Sequence, residues 1–297
     1  MSTYFLTGFK KFLLRTGIGL FPLKDKKFRR KKALALVDKK YLKRYLYALD
    51  NLNKKTGTGK SNIIWTCWLQ GEENAPPLDQ ACLRRMRRIN PDKQVVIITS
   101  DNLRQYADIP AYIYEKWQKG RITNTHFSDI LRVSLLYEHG GIWLDATVYQ
   151  GGKIPDDILS APFFAYHSKT FLRCFPQVVG NNSWFLSAVK QHPLMAGMRA
   201  LLFEYWRHEN KLIHYFVYHL FFDLMVENNR FCRELWEKVP LYYDDETVEA
   251  LHENLLRPFD ENLFRQIIDR SPIQKLSYKY TAPETTDTTF EKFIINQ

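Results

Sequence analysis

The stretch FSDILRVSLLYEHGGIWLDATV, residues 127–148, carries two aspartates, an arginine and two adjacent glycines in an otherwise apolar run. A helical period places Phe127, Ile130, Leu131, Ser134 and Leu135 on one side and Asp129, Arg132, Val133 and Leu136 on the other. Both sides are largely apolar, so the helix is expected to be buried and its charged pair to be satisfied locally. One reading is an i,i+3 ion pair, which contributes about 0.2–0.5 kcal/mol on a helix surface. The other is a polar fork that grips a hydroxyl-rich ligand, with Asp129 accepting and Arg132 donating. Gly140 and Gly141 end the helix and would let backbone approach a ligand closely. IWLD then forms a short strand ending on Asp145, where a carboxylate would hold Mg2+ or Mn2+ or a ribose hydroxyl; such hard cations prefer carboxylate oxygen and also bridge phosphates. That combination suggests a nucleotide-sugar site.

The elements around this stretch are read as an α/β unit. NIIWTCWL at 62–69 is a strand candidate, a turn-rich QGEENAPP leads into a basic helix containing Cys82 to Arg88, and QVVIITS at 94–100 reads as a buried parallel strand. A helix is expected near Asn102, and the alternation indicates a parallel sheet. Asp101 and Asp145 would then both lie at carboxyl ends of strands, where open α/β sheets bind ligands. Residues 180–275 read as aromatic-rich helices: SWFLSAV, LMAGMRALLFEYWRH, and a buried helix at 212–229. Such aromatic density suits a sugar-accepting cleft and equally an ordinary core. His192 is placed at a helix start because Pro193 fits the first turn. His219 and Asp223, one turn apart, could bind an acceptor or a metal, or form a hydrogen-bonded polar spot in the buried helix. Lys275, in a C-terminal loop, could neutralise a leaving diphosphate.

Composition bounds the rest. The chain has 297 residues, 45% hydrophobic and 15% aromatic, enough for a large core. Its net charge is +11, but residues 1–60 hold 17 Lys and Arg against 3 Asp and Glu, leaving 26 against 29 elsewhere. The basicity therefore belongs to the N-terminal region. Phe5, Phe9, Phe12, Leu13 and Leu20 share one helical face, and the run at 24–44 adds 11 basic residues against Asp25 and Asp38. An amphipathic segment beside a basic cluster is a two-signal pattern for an anionic membrane surface. A solvated helical face and a nucleic-acid arm rank behind it, since no nucleic-acid module follows. NKKTGTGKS at 53–61 reads as a linker, and lacks the spacing of a phosphate loop. Cys67, Cys82, Cys174 and Cys232 show no metal or disulfide spacing, consistent with reduced thiols in a cytoplasmic protein.

Taken in order, IIWTCWLQG, RINPDKQVVIITSDN, SDILR, LYEHGGIWLDATV and NSWFLSAVKQHPLM resemble the DXD-containing sugar transferases of glycosyltransferase family 32. WLDATV looks most like the bacterial capsular polysaccharide synthesis proteins among them. The resemblance covers roughly residues 61–195 and implies a GT-A-like, Rossmann-type core, a UDP-linked or other nucleotide-diphosphate sugar as donor, and transfer with retention. By that resemblance Trp65 stacks on the nucleotide base, Asp129 and Arg132 contact donor-sugar hydroxyls and Asp145 lies near ribose and metal; the reading of the residues adds Ser128, Gly140, Gly141 and Lys275 to the expected donor set. Asp129, Arg132 and Asp145 are the catalytic set, Asp145 and Thr147 hold a divalent cation, and His219 and Asp223 meet the acceptor. Thr147 stands where the second Asp of DXD would be, so the chain departs from that pattern at the position that usually ligates the metal. Trp65 and Trp68 could both instead be core residues, which is the preferred reading for Trp68. The expected organisation is a basic helical appendage and linker at 1–60, a donor half at 61–180 and a mainly helical acceptor half at 181–297. The acceptor is expected to be a lipid-linked capsular or exopolysaccharide, met on the inner face of the cell membrane. A catalytically weak nucleotide-sugar-binding protein on the same fold is the alternative. A glycoside hydrolase would need a second positioned carboxylate that the sequence does not identify.

Overall fold

Residues 63–67 form an apolar strand core without helical period, and in the computed structural model they are the strand β1 (Ile63–Cys67). The structure describes residues 37–57, 59, 61–168, 180–280 and 288–297. β1 lies parallel to β2 (Gln94–Ile98) on one side and to β3 (Gly141–Leu144) on the other, with Trp65 level with Trp143. β6 (Asn181–Ala188) runs antiparallel to β3, and β5 (Phe163–Ser168) and β7 (Tyr243–Asp244) complete the order β2-β1-β3-β6-β5-β7. The chain leaves β1 for β2 through helix α1 (Pro77–Ile89), then crosses back past β1 to β3 through helix α2 (Asn124–His139). Within this sheet the next strand after β1 is β2 on one side and the next after β3 is β5 on the other, the switch point at whose carboxyl ends open α/β sheets place the crevice for a ligand.

α2 starts at a Thr123 cap whose hydroxyl accepts from His126 N–H, and it ends at Gly140, φ +69°. Phe127 and every residue from Asp129 to Leu136 are buried, as the two-sided apolar wheel requires. SWFLSAV is corrected from helix to strand, because Ser183 to Ala188 belong to β6. β6 sits between β3 and β5 and buries every residue except Ser183, so its apolar run lacks the alternation of a one-sided strand. Helix α3 (Pro193–His208) begins as expected, with His192 Nδ1 accepting from Leu194 N–H. Helix α4 (Val217–Asn228) packs beside it.

Two expected boundaries move. Residues 37–50, assigned to the appendage, belong to the folded body: Tyr41, Leu42, Tyr45 and Leu49 are buried, and Tyr45 meets Tyr205 and Phe221 edge to face. Lys39, counted in the basic run, is itself buried and pairs with Asp223 and, at 2.8 Å, with Glu227. The amphipathic stripe and the basic residues up to 36 lie outside the described residues, as does Cys174. The division at residue 180 also does not hold in space. β4 (Val148–Gln150), from the first half, pairs antiparallel with β8 (Ile273–Lys275) from the second, and a core of Leu78, Cys82, Tyr149, Leu276 and Phe290 seals that junction. Lys275 consequently stands on a strand rather than in a loop. Cys67, Cys82 and Cys232 are free thiols, and among the described residues no helix is long and apolar enough to cross a membrane.

Candidate active site

β3 ends at Leu144, and the next peptide turns sharply: Asp145 N–H donates to Trp184 O at 2.9 Å, and Val148 N–H donates back to Asp145 O at 2.9 Å. The turn fixes the Asp145 carboxylate at the mouth of the crevice, with its side chain 27% exposed. Oδ1 accepts from Trp143 Nε1 at 3.0 Å and lies 3.4 Å from Arg132 Nη2. Oδ2 lies 3.5 Å from Lys275 Nζ, which also donates to the Thr147 hydroxyl. Two cations from remote parts of the chain thus meet on one carboxylate.

Arg132 is held from below. Its Nη1 pairs with Asp129 Oδ1 at 2.9 Å and donates to Ser183 O at 3.0 Å, and Nη2 donates to Ser128 Oγ at 3.1 Å. The guanidinium also lies 5.1 Å from the centre of the Trp143 ring. Burial raises the Asp129 carboxyl above its ordinary range even though Arg132 pulls the other way. Burial likewise works against the charge of Arg132, but Asp129 and Asp145 more than offset it and hold the guanidinium above its usual value. The fork is therefore a fixed, charged element beside Asp145.

Ser128, Asp129, Arg132, Asp145, Thr147 and Lys275 converge, whereas Trp65, Gly140 and Gly141 do not. Trp65 is 1% exposed, and its Nε1 donates to Gly140 O at 2.9 Å. Both glycines sit at the start of β3, roughly 13 Å along a four-residue strand from the Asp145 end. The close approach they permit is internal. A Cβ on Gly141 would stand 2.5 Å from Ile63 O, and one on Gly140 would stand 2.6 Å from Lys190 N. At the acceptor side, Asp223 is fully buried against Lys39, which removes it from any ligand. Burial, with Arg132 and His214 nearby, drops the His219 imidazole to about 3 and leaves it neutral beside the site.

Sequence reasoning missed four neighbours. Trp68 follows the carboxyl end of β1, is partly exposed, packs against Ile97 and Ala146, and meets Tyr278 edge to face at 5.6 Å. Tyr278 is 41% exposed. Trp143 holds Asp145, and Asp79 in the first turn of α1 is fully buried, with neither oxygen accepting a hydrogen bond from another residue. Burial lifts Asp79 to about 6 while the charge of Lys275 pulls it down. Only the alternation of the strand signalled any of these, since it separates Trp65 and Trp68 onto opposite faces.

As a divalent-cation site the donor set does not fit. Asp129 is committed to its buried pair with Arg132, both oxygens of Asp145 already face protein donors, and the Thr147 hydroxyl is engaged by an ammonium. Among the described residues no group of three or more His, Cys, Asp or Glu is arranged to hold a metal.

The O-glycosyltransferase braB of Annulohypoxylon truncatum is 29% identical over 92 residues, a match covering 28% of this chain and 22% of that protein. The chain thus spans about a fifth of the length of that relative. The solved structure of the PaToxG glycosyltransferase superposes with a TM-score of 0.38 at 13% identity, over 82% of this chain and 95% of that one. The model of one family, described as capsular polysaccharide synthesis protein, matches residues 21–294, nearly the whole chain. The chain belongs to the capsular polysaccharide synthesis protein family.

Proposed function

We propose that this protein is a glycosyltransferase of GT-A type that moves a sugar, with retention, from a nucleoside-diphosphate donor to a saccharide acceptor. The observation that carries the reading is the meeting of Arg132 and Lys275 on Asp145 at the crevice between β1 and β3. Such a crevice takes nucleotides, and two fixed cations suit a diphosphate whose charge grows as it leaves. The aromatic pair Trp68 and Tyr278 beside Ala146 offers a ring face for the base, the part that Trp65 is too buried to play. Asp129 and Arg132 would read sugar hydroxyls from the floor of the site. UDP is the favoured nucleotide, and the names of the family and of the fungal relative support a glycosyltransferase.

In the reaction the bond between the anomeric carbon and the phosphate oxygen breaks, and its electron pair stays on the diphosphate. The acceptor hydroxyl bonds to the same face of that carbon and gives its proton to the departing phosphate. Asp129 is buried and paired with Arg132, so no protein nucleophile is assigned. A lipid-linked capsular or exopolysaccharide chain is the proposed acceptor, met at an anionic membrane surface through residues 1–36. The test is thermal stabilisation of the full chain by UDP, GDP, ADP and CMP, followed by release of sugar from the matching donors. Stabilisation by a nucleoside diphosphate with turnover of its sugar supports the reading. Salt-sensitive binding to nucleic acid alone would replace it.

A further inference from the structure

We infer that the ammonium of Lys275 does for the donor diphosphate what a divalent cation does in related chemistry, so that binding and turnover need no metal. The inference rests on the nucleotide-sugar reading above and deepens it at the same site. Its first support is the placement of the charge. β8 is registered on β4 with Lys275 opposite Val148, and Leu276 N–H donates to Thr147 O at 3.0 Å. Backbone pairing on both sides of the turn therefore sets where the Lys275 stem begins. The ammonium reaches the two side chains that the DXD resemblance assigns to a cation, Asp145 and Thr147, and also lies 3.3 Å from Leu276 O.

The second support is the balance of charge. Around the crevice Asp129 and Asp145 oppose Arg132 and Lys275, so the pairs are already matched. A divalent ion beside Asp145 would add two positive charges next to two fixed cations and gain no further carboxylate there, whereas it would need about six oxygen ligands. Asp79 is fully buried and within electrostatic reach of Lys275. With a donor bound, the side chain swings from Thr147 to a phosphate oxygen, and as the glycosidic bond breaks it pairs with the charge left on the diphosphate.

Calorimetric titration of the full-length protein with UDP, in EDTA and then with Mn2+ or Mg2+, tests this. The expected affinity in EDTA stays within about twofold of that with metal, and Lys275→Met weakens UDP by about 10- to 100-fold at either condition. Sugar release from the UDP-linked donor should follow the same pattern. UDP binding that disappears in EDTA and returns with Mn2+ would overturn the role of Lys275 while leaving the nucleotide-sugar reading in place. So would a Lys275→Met protein that binds UDP like the parent. If none of UDP, GDP or ADP binds in either buffer, the nucleotide-sugar reading fails and this inference with it. Should Lys275→Met not fold, as judged by melting, the comparison of EDTA with Mn2+ on the unaltered protein decides alone.

Discussion

Replacing Arg132 with Met removes the cation on which the floor of the site is built and leaves Asp129 buried without its counter-charge. The Arg132 side chain is 5% exposed and that of Asp129 12%, so solvent would compensate little. Breaking one partner of such a pair costs about 3–5 kcal/mol. For a chain of this size that corresponds to a fall in Tm of about 5–8 °C. The lost contacts to Ser183 O and Ser128 Oγ add to the deficit. Asp129 already has a raised pKa, and loss of Arg132 raises it further. Between its unfolded and folded pKa the native state then holds more protons than the unfolded state, so stability falls as pH rises through that window. The deficit of the variant should therefore be larger at neutral pH than in acid. Adding Asp129→Asn to Arg132→Met removes the stranded charge and should recover at least about 2 kcal/mol, a coupling a double-mutant cycle reads directly. Donor turnover should stay lost in both. Melting curves across pH, with parallel turnover assays, make the measurement. An Arg132→Met protein as stable as the parent, or one with no recovery in the double variant, would refute the buried-pair reasoning.

Three other outcomes follow from placement. Asp223→Asn removes the buried partner of Lys39, which keeps Glu227 at 2.8 Å, and should destabilise by about 1–3 kcal/mol while leaving UDP affinity unchanged in calorimetry, because Asp223 is structural. Gly141→Ala forces a side chain into φ +104° against Ile63 O and should cost about 1–3 kcal/mol or more, seen as a lower Tm with normal turnover per folded molecule. Trp68→Ala should weaken UDP about tenfold with a small change in Tm, whereas Trp65→Ala should do the reverse; similar losses of UDP affinity in both would undo the assignment.

What was legible in the sequence was local. The i,i+3 spacing of Asp129 and Arg132 in a helix apolar on both sides, and an aspartate just past a short strand, are set within 20 residues, and both stand where that reasoning put them. Lys275 lies 130 residues beyond Asp145 and meets it only through the pairing of β4 with β8, which no short-range pattern announces. β6 was misread because a strand buried on both faces has neither the alternation of an edge strand nor a helical stripe. Gly140 and Gly141 were expected to bring backbone close to a ligand, but the backbone they approach is the protein's own. At the N-terminus the density of lysines hid the spacing of Tyr41, Leu42, Tyr45 and Leu49, which buries that segment against α3 and α4. Trp65 lies within β1 and Trp68 just past its carboxyl end, and three residues along an extended chain turn the two side chains to opposite faces, Trp65 into the core and Trp68 against Ile97 and Ala146.

The most direct test of the account is the rate of sugar release or transfer from a UDP-linked donor at saturation by the unaltered protein and by Asp145→Asn. Asp145 anchors Arg132 and Lys275, and the substitution keeps its shape while removing the charge. The account predicts a loss of at least about 100-fold in the rate with a folded, cooperatively melting protein. Turnover close to that of the parent would contradict it.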